Sequence, residues 1–341
     1  METRLKGRVK VQKVQVNLAN ATPADGRTDV QAFISVWKAA QGFFRNREHL
    51  GHWVTVDATD TLQLLDCVAM LEGGVEKPFE SRRKSRISGK LTPIGSQIVL
   101  TFHSTDPAKL DNRVIERFLQ NLYLAMNLSV PGSCNLYRAS FLARRSHEKR
   151  IGFRTQREVV WIDLSAAQPE NAYQSALTRG WPLFQRIELA GVWEWLELNG
   201  PLGLDVAREP WHRALFTILR VGSQESHGPD EILLCVQAIE ALLGQGAPAS
   251  VVKKRAESVL GIPRTHKSWY RVLHDTRSRV VHGAAPIVRP GAWLNEDEAS
   301  GEIAKYFEQS DLAYAVLLCL IQKLILKAAH TFKINETVTL C

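Results

Sequence analysis

Several short motifs are missing from this 341-residue sequence: there is no phosphate-binding loop, no dinucleotide fingerprint, no HExxH helix and no pair of CxxC turns. Their absence removes the usual sequence signs of nucleotide, zinc-protease and zinc-ribbon chemistry. Cysteine is scarce. The five present, Cys67, Cys134, Cys235, Cys319 and Cys341, are odd in number, far apart and mostly set in apolar runs. That pattern predicts buried free thiols in a reducing compartment, with neither a disulfide framework nor a zinc site. Long hydrophobic runs are missing as well. The longest, 313–321, falls well short of the roughly 20 residues a membrane span needs. The opening METRLKGRVK lacks the apolar core of a secretory signal. The chain therefore reads as cytoplasmic, with no cofactor, no metal and no membrane partner. No internal repeat or low-complexity tract is present.

What is there supports two packed cores. Apolar residues make up 45% of a chain long enough for two ordinary domains. The formal charge of +8 suits a polyanionic partner, although 43 basic against 35 acidic residues is a moderate excess. From residue 8 to about 165 the signals are mixed. Val9, Val11, Val14, Val16 and Leu18 nearly alternate with polar residues, and TVDA, SQIVLTFHS, NLYRASFLA and REVVWIDL are further β-like runs. Segments 30–44 and 110–128 carry helical spacing between them. Residues 1–168 are accordingly expected to form an α+β domain.

After Pro169 the pattern becomes helical throughout, over 172–198, 209–223, 230–243, 249–260, 268–282 and 303–328, with Gly, Pro and Ser between. Residues 169–335 are expected to form an all-α bundle. Asp230 and Glu231 stand where negative charge favours a helix N-terminus, Ile232, Leu233, Val236, Ile239, Leu242 and Leu243 give a broad apolar face, and Gly244 supplies a stop. Trp181, Trp193, Trp195 and Trp211 fall in amphipathic helices as core or interface residues.

Two basic clusters are candidates for phosphate contact. Arg82, Arg83, Lys84 and Arg86, with Lys90, lie in a Ser-, Gly- and Pro-containing stretch, and Arg144, Arg145, Lys149, Arg150, Arg154 and Arg157 join two expected strands. Charge alone grips phosphates, with strong salt dependence. A solvated loop is the commoner reading of either run, and neither has the interleaved aromatics of a single-strand stacking platform. His49 and His52, near Glu48 and Asp57, are ordinary titratable groups of a surface stretch rather than a ligand set.

The stretch LHDTRSRVVHGAAP, 273–286, is different. Arg277 is always charged and donates to two phosphate oxygens at once, while His282 carries the one side chain whose ordinary pKa lies near neutrality. Gly283 is placed to end a helix, which puts His282 in the last turn, where the negative end of the dipole favours the imidazolium and suits general acid–base work. Five residues at about 100° each leave Arg277 and His282 roughly 140° apart around a regular helix. Convergence on one phosphate needs the reach of the arginine, a distorted helix, or a second copy of the same helix across a two-fold axis. Arg279, three residues before His282, shares its face and is placed to help hold a phosphate.

With its surroundings, that stretch resembles the Apea-like branch of the HEPN superfamily over about residues 205–328. HRALFTILRVGSQESHGPDEILLCVQAIEALLG (212–244) is similar to the branch's helix pair, with Ala238, Ile239 and Glu240 in place; VVKKRAESVLGI (251–262) is similar to its middle helix. WYRVLHDTRSRVVHG (269–283) resembles its signature in Asp275, Arg277, Ser278, His282 and Gly283. The resemblance implies an all-α bundle, often a homodimer, in which arginine and histidine form the site of a metal-independent ribonuclease. Arg277 would then stabilise charge developing on the phosphate, and His282 would act on the 2′-hydroxyl or the leaving 5′-oxygen to give a cyclic phosphate. Glu240 would be an accessory polar residue of that cleft, or an ion-pair partner of a bundle arginine. Ser278 follows the arginine, as is usual in this branch; many nuclease members carry a more strongly polar residue there.

Two functions are expected on this basis. One is RNA endonuclease action in stress or antiviral defence, toxic to the host cell. The other is a non-catalytic HEPN module that mediates dimerisation and binds RNA, nucleotide or a protein. Residues 1–168 resemble no named family; in proteins of similar layout such a region selects the target or holds the nuclease in check, which leaves room for an inhibitory or sensor partner.

Overall fold

The computed structural model describes residues 10–18, 29–72, 96–104, 111–144, 157–224, 228–286 and 297–333. The chain forms two compact units. A sheet unit comprises Met1–Tyr123 and Ser133–Ser165, and a helical unit comprises Leu124–Gly132 and Ala166–Cys341. All the strands among the described residues belong to the first, and the second is helical.

The sheet unit runs β1 (Lys10–Leu18), α1 (Val30–Phe43), β2 (Arg45–His49), β3 (His52–Asp57), α2 (Thr59–Glu72), β4 (Ser96–Ser104), α3 (Asn112–Ser129, whose residues from Leu124 on belong to the helical unit), β5 (Ala139–Arg144) and β6 (Arg157–Ile162). The strands make one antiparallel sheet in the order β2-β3-β4-β1-β5-β6. Alternation decides its two faces. Val14, Val16, Leu18, Ile98, Leu100 and Phe102 are 2% exposed or less, while on the opposite face Val11, Trp53, Leu142, Val159 and Trp161 remain exposed. Phe118 of α3 meets Phe44 and Phe102 edge-on at 5.3 and 6.0 Å, and Trp37 of α1 donates its indole N–H to the Ser133 carbonyl at 2.9 Å.

β2 and α2 depart from the expected pattern. β2 is RNREH, too polar to look like a strand, and it pairs with β3 through a two-residue turn in which Leu50 and Gly51 both have positive φ, 49° and 78°. That is the hairpin geometry usually signalled by Asn-Gly. α2 starts where Asp57 accepts hydrogen bonds from the Thr59 amide at 3.0 Å and its hydroxyl at 2.6 Å. His49 and His52 face each other across the hairpin and are buried, not at the surface.

The helical unit contains α4 (Ala167–Arg179), α5 (Leu189–Leu198), α6 (Pro210–Gly222), α7 (Pro229–Leu243), α8 (Ala249–Leu260), α9 (Trp269–Val281) and α10 (Asp297–Leu326). The expected single helix 172–198 is two helices. Gly180 closes α4 in the left-handed region, φ 65°, and Pro182 follows it. α10 is long and apolar enough over Ser300–Leu326 to cross a membrane, but its apolar 18-residue window is 83% buried inside the protein. Three of its buried polar side chains are engaged: Ser310 donates to Glu231 at 2.6 Å, Gln309 accepts from Thr276 at 2.6 Å, and Gln322 donates to the Leu128 and Gln185 carbonyls at 2.8 and 2.9 Å. Glu231 is 1% exposed and also accepts from Gln168, so it serves as a buried acceptor. Trp181, Trp193 and Trp195 are buried core residues. Cys134, Cys235 and Cys319 are buried free thiols and Cys67 a half-buried one.

Candidate functional site

α9 carries the site, and its two ends fix how. At the N-terminal end Trp269 is 2% exposed; its ring lies 5.0 Å from Trp181, and its N–H reaches Glu257 at 3.2 Å. At the C-terminal end the helix closes in a Schellman turn. Gly283, φ 69°, donates to Val280 at 3.1 Å and Ala284 donates to Arg279 at 2.7 Å. His282 occupies the capping position, exposed, with its amide on the Ser278 carbonyl at 3.0 Å. The helix is regular up to Val281, so distortion does not bring Arg277 and His282 together.

Between those ends, Tyr270, His274 and Arg277 recur at the i, i+4, i+7 spacing that lines one helical face. His274 and Arg277 lie in the wall of an open groove of about 780 Å³ whose other walls come from α6 and α7. Arg213, Phe216, Thr217 and Arg220 of α6 and Gln237 and Glu240 of α7 also line it. Three arginines against one glutamate leave the groove positive. Among the described residues neither Arg213 nor Arg220 is in an ion pair, and both are exposed.

Arg277 is held by one carboxylate and still has capacity. Its guanidinium lies 3.7 Å from Glu240, while its buried Nε has no hydrogen-bond partner among the described residues. Tyr270, 1% exposed, donates its hydroxyl to the other Glu240 oxygen at 3.2 Å. Burial first, then the Glu240 carboxylate, push the Tyr270 hydroxyl well above its ordinary pKa, so it remains a donor. Glu240 thus aligns Arg277 from one side and is itself fixed by Tyr270. Because that Nε is buried, an acceptor entering the groove would meet the outer part of the Arg277 side chain, which is 30% accessible.

The expected site residues separate into groups. Arg277 and Glu240 are brought together. His282 is not among the groove-lining residues, nor are Asp275, Ser278 and Arg279. Arg279 faces Tyr306 of α10, whose hydroxyl is raised by burial and by Glu302 and lowered in turn by the Arg279 charge. Arg144 ends β5 opposite Arg157 in the sheet unit. Arg82, Arg83, Lys84, Arg86 and Arg145 lie outside the described residues. His274, Arg213 and Arg220 were not singled out from the sequence, although 270/274/277 and 213/217/220 are both legible helical stripes.

Compared with protein-family models, with curated proteins and with solved structures, the chain finds no match in any of the three.

Proposed function

We propose that the helical unit is a metal-independent RNA endonuclease of the HEPN type, acting in the cytoplasm as a homodimer in stress or antiviral defence. The observation that carries this reading is Arg277: a partly buried guanidinium held by Glu240 in the wall of a positive groove. In this reaction the RNA 2′-hydroxyl attacks the adjacent phosphorus, its proton passes to a base, and the 5′-oxygen leaves as it takes a proton from an acid. The products are a 2′,3′-cyclic phosphate and a 5′-hydroxyl. Arg277 stabilises the charge on the phosphorane oxygens. His282 supplies the proton transfer from the exposed helix end.

Because His282 stands off the groove of its own chain, the reading assigns the proton transfer at each Arg277 to His282 of a second copy. The same observation favours a second reading, a non-catalytic module whose groove binds RNA. Incubating the protein with a mixed RNA pool in EDTA separates them. Cyclic-phosphate ends that fall about a hundredfold to ten-thousandfold in His282→Ala and Arg277→Ala are the expected result. Intact RNA with a folded wild-type protein selects the binding module.

A further inference from the structure

We infer that the groove between α6, α7 and α9 is a track for single-stranded RNA, in which Arg213 and Arg220 hold successive phosphates on one side of Arg277. This rests on the reading of the helical unit as an RNA-acting protein and extends it from one phosphate to a strand. Arg213 and Arg220 are seven residues apart on α6, two helical turns and about 10 Å along the axis, so they point the same way from separate places. Thr217 lies between them on that face. Both guanidiniums are exposed, and among the described residues neither is in an ion pair. Opposing charge from a ligand is the natural complement of that row.

The other lining groups suit a strand with free bases. Phe216 and His274 supply ring faces for stacking, and Gln237 and Gln245 supply donors and acceptors for base edges. Paired bases would hide those edges. A groove of about 780 Å³ is also of the size that encloses a small ligand, a few nucleotides of single strand, where a duplex would lie across its mouth. Among the described residues Glu240 is the one acid in the lining, and it is already engaged by Arg277 and Tyr270, so it leaves the α6 side positive.

The test is salt-dependent binding of a labelled, mixed-sequence single-stranded RNA of about ten nucleotides, measured by anisotropy on the full chain carrying His282→Ala to prevent cleavage. Two lost phosphate contacts flatten the slope of log affinity against log salt by about 1.4. Arg213→Ala with Arg220→Ala is expected to do this and to weaken binding at least about tenfold at low salt. Arg264→Ala with Lys267→Ala removes the same net charge at exposed positions outside the groove lining and is expected to leave the slope near that of the parent. Unchanged slope in the α6 pair, equal change in the control pair, or equal competition by a duplex of the same sequence overturns the inference. If the α6 pair has no effect but His282→Ala alone abolishes cleavage, the track fails and the nuclease reading survives. If the slope changes as expected but wild-type protein cuts nothing, the track survives and the nuclease reading fails.

Discussion

The sheet unit and the helical unit each bury an apolar core, yet they dispose of what is left over in opposite ways. In the sheet unit the alternation of strands such as β3 and β4 sends every second residue outward, and the outer face is a mixture: Val11, Trp53, Leu142, Val159 and Trp161 stand among lysine, glutamine and threonine. In the helical unit the leftover polar groups converge. α6, α7 and α9 each turn one stripe toward a common groove, and three arginines, a histidine and a glutamate meet there. A period of two spreads exposed residues over a plane, whereas a period of 3.6 gathers them into lines that packing brings side by side. That is why the chemistry is read in the helices.

Replacing one tryptophan in each unit tests the comparison most severely. Trp269 anchors α9 against Trp181 and Glu257, and Trp269→Ala is expected to cost about 3–5 kcal/mol and to loosen the groove wall with it. Trp161 is 62% exposed on the outer sheet face, and Trp161→Ala is expected to change stability by no more than about 0.5 kcal/mol. Two units need not unfold together, so hydrogen exchange resolved by peptide is the proper readout. Equal protection losses from the two changes would break the contrast.

The next effect is smaller and local to the site. Gly283 sits at φ 69°, in the left-handed region, and nothing lies within 4 Å of where a β-carbon would be. Gly283→Ala therefore meets backbone strain alone, about 1–2 kcal/mol. The Schellman turn that presents His282 is expected to fray, with exchange rising over Arg279 to Ala284 while α6 and α7 stay protected. If exchange does not rise there, the turn is not what places His282.

These contrasts also show what the sequence could carry. β4 is found at 96–104 as its alternation predicts, and the end of α9 follows from Gly283. The split between α4 and α5 was available in Gly180 and Pro182, but apolar spacing continues across the break and masks it. β2 was not available: its pairing depends on Leu50 entering the left-handed region, which no leucine announces. At the site, Arg277 with Glu240 could be expected, because an ion pair with a bundle arginine was one of the two roles open to Glu240. Arg213 and Arg220 could not, since only the packing of α6 beside α7 and α9 turns a surface stripe into a groove wall. His282 shows the reverse, a residue prominent in sequence that its own chain holds apart from that wall.

The smallest expected effect returns to the sheet unit and asks whether a single exposed polar contact matters there. Asp57 is exposed at the end of β3, and the hydroxyl and amide of Thr59 hold its carboxyl below the ordinary range. A carboxylate lowered in the folded state adds stability that is present above the unfolded pKa, about 3.9, and is lost as the pH falls through the lower folded value. Asp57→Ala is expected to cost about 0.5–1 kcal/mol near neutral pH, by removing the acceptor at the start of α2. That difference from wild type should shrink as the pH drops below about 4. Exchange over α2 in the two proteins at neutral and acid pH reads it directly. A difference that persisted unchanged into acid would mean that backbone shape, and not the carboxylate, starts α2. The sheet unit would then owe its order to alternation and packing, with no part taken by the polar contacts that define the groove in the helical unit.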